Sequence, residues 1–147
     1  MAYLLDVNVL VALFDPDHIH HQAAHAWFAS ARDSGWATCP LTENGLVRVL
    51  SNPAYPGRRT TVADAVERLG LFTLSGDHTR WPDDISLLDP AHIVPHQLTG
   101  HRQVTDAYLL GLAVYHGGTL ATFDRSLGMQ AVVGAKEQHL AVLSPRR

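Results

Sequence analysis

The chain has 147 residues, 46% hydrophobic and 17% charged, with a formal net charge of −3. A domain of that length buries ~68–70% of its unfolded surface, so one domain spanning residues 1–147 is expected and intrinsic disorder is excluded. The single cysteine, Cys39, excludes an intrachain disulfide and a thiol-rich zinc site, and suits a small buried hydrophobe.

The N-terminus, MAYLLDVNVLVALFD, has no Lys or Arg ahead of its apolar run and holds Asp6 and Asn8 inside it, unlike a signal peptide. No stretch reaches the ~18 apolar residues of a membrane span, so the expectation is a cytoplasmic protein without membrane association. Residues 2–6 are predicted as a buried strand and Val7–Phe14 as a helix ended by Asp15-Pro16-Asp17. Ala23, Ala24, Trp27, Phe28 and Ala31 recur with helical period over residues 20–32. A strand follows at residues 36–39, and Thr42 is expected to cap a helix running through Leu50.

Residues 55–59 read as a loop, and residues 61–71 as a helix from the spacing of Val62, Ala65, Val66 and Leu69. A strand is expected at residues 78–81, a short helix at 84–88 and a loop at 90–98. Thr105 is expected to cap a helix that Gly117-Gly118 terminates, before strands at residues 119–123 and 140–143. Only residues 144–147 read as a disordered tail. Strands alternating with helices predict an α/β fold, a central parallel sheet with helices on both faces forming an α/β/α sandwich.

Four acids sit where apolar segments end or begin. Asp6 closes AYLLD, Asp124 closes TLATFD, Glu43 opens TENGLVRVL and Asp106 opens TDAYLLGLAVY. Glu43 extends the helical stripe of Leu46, Val47 and Leu50, and Asp106 that of Leu109, Leu110 and Ala113. Single acids at such places have simpler roles: helix-dipole compensation for Glu43 and Asp106, an N-cap for Asp6, a turn for Asp124. Four matched placements point further, because open parallel sheets gather element ends at a ligand crevice. Crowded carboxylates demand either proton uptake or a hard divalent cation. Asn8 and Thr122 stand two residues from Asp6 and Asp124 and are candidates to support them. Setting the four acids aside turns the net charge from −3 to +1, and ten of the eleven basic residues are arginine, a chemistry suited to phosphate.

LLDVNVLVALFD, TENGLVRVLSNP and VTDAYLLGLAVYHGGTLATFD resemble, in the expected order and over nearly the whole chain, the motifs of the PIN domain, specifically the ribonuclease toxins of VapBC-type toxin-antitoxin modules. The resemblance implies a single PIN-like nuclease domain in which Asp6, Glu43, Asp106 and Asp124 are catalytic and hold Mg²⁺ or Mn²⁺, as one or two ions. It implies hydrolysis of RNA phosphodiester bonds leaving a 3′-hydroxyl and a 5′-phosphate, a cognate antitoxin lying across the active site, and a homodimer. Asn8 matches the small polar position after the first acid, and Thr122 a position that often carries a hydroxyl. Residues 57–100 align with none of these motifs.

Ligand hardness agrees with Mg²⁺ or Mn²⁺, since carboxylates without cysteine disfavour zinc. Arg48, Arg102 and Arg125 lie near the acids in sequence, with Arg48 and Arg125 the candidates for substrate binding, and Arg58-Arg59 sit in a loop able to meet an RNA backbone. Two other readings compete. An aspartyl-phosphate phosphatase would use Asp6 as nucleophile, but the residue two positions on is Asn8 rather than an acid, and Lys136 is the only lysine. A non-enzymatic interaction domain would use its acids to hold a structural metal. His18, His20, His21 and His25 raise the further idea of a zinc site, which lacks a completing acid or cysteine nearby.

Overall fold

Leu4 and Leu5 are neighbours on one strand and both are fully buried, which requires a sheet covered on both faces. The computed structural model, which describes residues 1–57 and 59–144, has that arrangement. In chain order the main elements are β1 (Tyr3–Leu5), α1 (Val7–Phe14), α2 (His21–Ala31), β2 (Trp36–Thr38), α3 (Pro40–Ser51), α4 (Val62–Thr73), β3 (His78–Arg80), α5 (Val104–Tyr115), β4 (Thr119–Thr122) and β5 (Leu140–Val142). The strands form one parallel sheet in the order β3-β2-β1-β4-β5.

Alternation along the strands divides the core in two. Leu5, Trp36 and Ala121 face α1 to α4, which contribute Val9, Leu13, Phe28, Leu46 and Leu69. Leu4, Ala37 and Leu120 face the other side, under Leu109, Leu110 and Leu112 of α5 and the buried Trp81 and Ile93. The predicted α/β/α sandwich is thus observed. From β1 the sheet grows through β2 to β3 on one side, then through β4 to β5 on the other. Winding reverses between β1 and β4, and ligands of open α/β sheets bind beyond the carboxyl ends of strands at such a switch point. Asp6 directly follows β1, and Asp124 lies two residues beyond β4.

Two glycines shape this region. Gly117 has φ +67, and with Gly118 it closes α5: Gly117 N–H donates to Val114 O and Gly118 N–H to Ala113 O, satisfying carbonyls that the helix end leaves free. Gly45 lets α3 approach α1, since a Cβ there would come within 2.5 Å of Val7 Cγ2.

Several local expectations need correction. Thr42 does not cap α3, which starts earlier, with Cys39 as N-cap and Pro40 in the first turn. Proline suits that place because its missing N–H would have no helical partner, and Thr42 instead bonds back to Cys39 N at 3.0 Å. Nor does Thr105 cap α5, because a 3-10 turn at His101–Gln103 carries the chain into a helix already begun at Val104. Residues 84–88 form no helix, since their side chains are tethered apart: Asp84 to His116 at 2.9 Å, Ile85 in the core, and the preceding Asp83 to Leu41 N at the start of α3. On α4, Ala65 and Leu69 are buried but Val62 and Val66 are exposed, so only half the apolar stripe is used. Arg58 and residues 145–147 of the expected tail lie outside the described residues.

Candidate active site

Asp6 serves two structures at once. Its Oδ1 accepts the Val7 N–H at 2.7 Å as the N-cap of α1, and its Oδ2 accepts the Thr122 hydroxyl at 2.7 Å from the end of β4. The side chain is almost sealed from solvent. Burial pushes its carboxyl up, these two hydrogen bonds pull it back, and the charge of Asp124 pushes it up again. The capping role is therefore real and does not compete with a site role, because it occupies only one oxygen.

Thr122 is the hub. Its hydroxyl donates to Asp6 and accepts from Asn8 Nδ2 at 3.2 Å and from the Asp124 N–H at 3.0 Å, which uses its whole bonding capacity. Asn8 Oδ1 accepts the Phe123 N–H at 3.3 Å. Asn8 thus reaches the acids through Thr122 and the backbone beyond β4, rather than holding a carboxylate itself.

Asp124 forms its expected turn, with Oδ1 accepting both the N–H and the hydroxyl of Ser126. Asp106 lies in the first turn of α5. Burial first, then the neighbouring Asp124 carboxyl and the charge of Asp6, push the Asp106 carboxyl up to about 7. Asp124 moves the other way, held low first by Asp106 and then by Ser126. Opposite shifts in neighbouring carboxyls favour one proton between the two, which is how crowded acids lower their repulsion. Asp6, Asp106 and Asp124, from three separate segments, form one coupled group.

Glu43 stands apart from that group. Its Oε2 accepts the Thr38 hydroxyl at 2.8 Å and its Oε1 pairs with Arg80 Nη2 at 3.0 Å, and it is not among the charges that shift the three aspartates. The four-carboxylate cage expected from sequence is not drawn together. Among the described residues no set of three or more His, Cys, Asp or Glu side chains has the arrangement of a metal site. Three of the acids have instead found donors within the chain: Thr122 for Asp6, Ser126 for Asp124, and Thr38 and Arg80 for Glu43. Chemically the three aspartates still suit a hard divalent ion, since the atoms they would offer are all oxygen.

Thr38, His78 and Arg80 were missed by sequence reasoning. Thr38 Oγ1 lies 2.8 Å from His78 Nε2; because it donates to Glu43, the imidazole is the donor here, and burial lowers the His78 pKa. Thr38 and Arg80 are register partners at the ends of β2 and β3. A polar or charged residue closing a strand was the available signal, the one already used for Asp6 and Asp124.

The candidate arginines separate by position. Arg48 and Arg125 are exposed, and Arg48 lines a groove with Val7 and Thr105, the neighbours of Asp6 and Asp106. Arg59 faces a different cavity, beside Asp15, Tyr55 and Arg68. The histidine run has a structural use: His21 Nδ1 lies 2.7 Å from Ala12 O and His25 Nε2 2.9 Å from Leu13 O, bonding carbonyls that the end of α1 leaves free. Cys39 is fully buried, and burial raises its thiol to about 11, as expected of a packing residue.

A doubly covered parallel sheet with Asp6 and Asp124 tied together beyond the ends of β1 and β4 defines an α/β domain with acids at its switch point. The PIN domain model matches residues 3–132, and the chain belongs to the PIN domain family. Ribonuclease VapC44 of Mycobacterium tuberculosis is 48% identical over 143 residues, covering 97% of this chain and all of the relative. Ribonuclease VapC39 of the same organism is 44% identical over 137 residues, covering 93% and 99%. Ribonuclease VapC38 is 49% identical over 121 residues, covering 82% and 84%.

Proposed function

We propose that this chain is the toxin of a VapBC-type toxin-antitoxin module, a Mg²⁺- or Mn²⁺-dependent endoribonuclease that hydrolyses RNA phosphodiester bonds. The observation that carries the reading is the joining of Asp6 to the Asp124 backbone through the Thr122 hydroxyl at the ends of β1 and β4, with the Asp106 carboxyl pushed up by burial and by both of these acids, in a family member whose near full-length relatives bear the name ribonuclease. Asp6 and Asp106 would hold the ion, with Asp124 completing its shell and Glu43 joining on release from Arg80. A bound divalent ion would supply an activated water and charge stabilisation for in-line displacement at phosphorus. Thr122 fixes the Asp6 oxygen and the Asp124 backbone in one geometry, and Asn8 fixes Thr122. Arg48 and Arg125 offer exposed guanidinium groups for phosphate.

No helix is long and apolar enough to cross a membrane among the described residues, in keeping with a cytoplasmic enzyme. An antitoxin covering the crevice and a homodimer of single-domain protomers complete the proposal. The aspartyl-phosphate alternative is disfavoured by geometry: both Asp6 oxygens accept hydrogen bonds in a nearly sealed position, which suits a ligand more than a nucleophile. The test is cleavage of RNA by the purified chain with Mg²⁺ or Mn²⁺. EDTA should abolish it, and Asp6→Asn and Asp106→Asn should be folded and inactive; activity that survives both substitutions contradicts the assignment.

A further inference from the structure

A groove of about 440 Å³ lies between α3 and the chain neighbours of Asp6 and Asp106. One wall is α3, from which Asn44 and Arg48 project four residues apart, with Asn52 four further on at the helix end; the other wall is Val7 and Thr105. Val7 N–H is bonded to Asp6, and Thr105 precedes Asp106, so two of the lining residues are immediate neighbours of the acids. Among the described residues Asn44 and Arg48 have no hydrogen-bond or ion-pair partner, and Asn52 uses only its Oδ1, accepting from Ala54 N. No acid lines the groove. Two amides with free donors and a free guanidinium, on a wall otherwise apolar, match a base edge and a phosphate. An acid-free lining favours a polyanion over a basic protein segment.

We propose that this groove is the subsite for the single-stranded RNA nucleotide next to the scissile bond, with Asn44 reading the base edge and Arg48 holding its phosphate. The proposal deepens the nuclease reading and rests on it. Amide side chains make paired hydrogen bonds with base edges, and unstacked single-stranded bases leave those edges free. Phosphate contact by Arg48 is independent of sequence, whereas contact by Asn44 is not. The two residues should therefore fail differently.

The test measures binding of short A, C, G and U homopolymer RNAs to the full chain carrying Asp106→Asn, with Mg²⁺, across a range of salt. The parent should rank the homopolymers. Adding Asn44→Ala should level that ranking by about tenfold, the scale of one base-edge pair, with the salt slope unchanged. Adding Arg48→Ala should weaken all four RNAs alike and lower the slope of log affinity against log salt by about 0.7, one phosphate on a single strand. Both side chains are exposed, so melting temperatures should not move, and a shared loss of structure is separable. If the parent binds RNA without ranking, or the variants leave ranking and slope intact, the subsite is overturned while the nuclease reading stands, and the groove belongs to a protein partner. If the parent binds no RNA, the nuclease reading fails and the subsite with it.

Discussion

The Thr122 hydroxyl donates to Asp6 Oδ2 at 2.7 Å, joining residues 116 positions apart and tying the end of β4 to the end of β1. The same oxygen accepts from Asn8 and from the Asp124 backbone. Thr122→Val keeps the shape but removes all three bonds, leaving buried donors unsatisfied at ~1–3 kcal/mol. Denaturant unfolding should show that loss, with a large fall in RNA cleavage, and Thr122→Ser should restore most of both. Wild-type cleavage by the valine variant would show that the hub is not needed.

Acid–base linkage gives a second prediction. Asp106 binds its proton more tightly folded, at about 7, than at its ordinary 3.8. Its contribution to stability is therefore complete below about pH 4 and is lost as pH rises toward 7. Asp6, also raised, acts in the same direction. Asp124 is lowered, so its contribution is present above 3.8 and lost as pH falls further. Melting temperature in EDTA should decline between pH 4 and 7, and Asp106→Asn should flatten the decline. A melting temperature that climbs over that interval for both proteins would contradict the coupling.

His21 and His25 brace the end of α1. Replacing each with alanine should cost ~0.5–1.5 kcal/mol, the usual net value of a hydrogen bond. The folded double variant should cleave RNA normally, and neither it nor the parent should retain zinc after chelation. Stoichiometric zinc in the parent would restore a metal role for this cluster.

Arg80 and Glu43 form an ion pair with the arginine side chain 68% exposed. Exposed pairs contribute ~0–1 kcal/mol, so Arg80→Ala should barely change the unfolding midpoint. Glu43→Gln should instead impair cleavage, because Glu43 is proposed to join the site. A variant Glu43→Gln as active as wild type would restrict Glu43 to its structural contact with Thr38.

The four strands β1, β2, β4 and β5 were legible as short, mainly apolar runs, whereas β3, His78-Thr79-Arg80, carries no such run; α1 was legible with the bounds that the structure has. The placement of Asp6, Asp106 and Asp124 at element ends was legible for a related reason, since a carboxylate at the rim of a core has few places to go. What escaped was partnership. Nothing near Glu43 in sequence announces Arg80, 37 positions on, because β3 pairs with β2 across two intervening helices, α3 and α4. The start of α3 lies before the position that Thr42 suggests, because Pro40 suits the first helical turn, while residues 84–88 follow tertiary tethers that no local pattern encodes. The bracing role of His21 and His25 escaped because their partners are backbone carbonyls, invisible to a reading of side chains.

Anomalous diffraction from crystals soaked in Mn²⁺ tests the central claim most directly. The account predicts a peak bounded by carboxylate oxygens of Asp6, Asp106 and Asp124, absent in Asp106→Asn crystals. Saturating manganese with no density among those three side chains, or with density unchanged by the substitution, would contradict it.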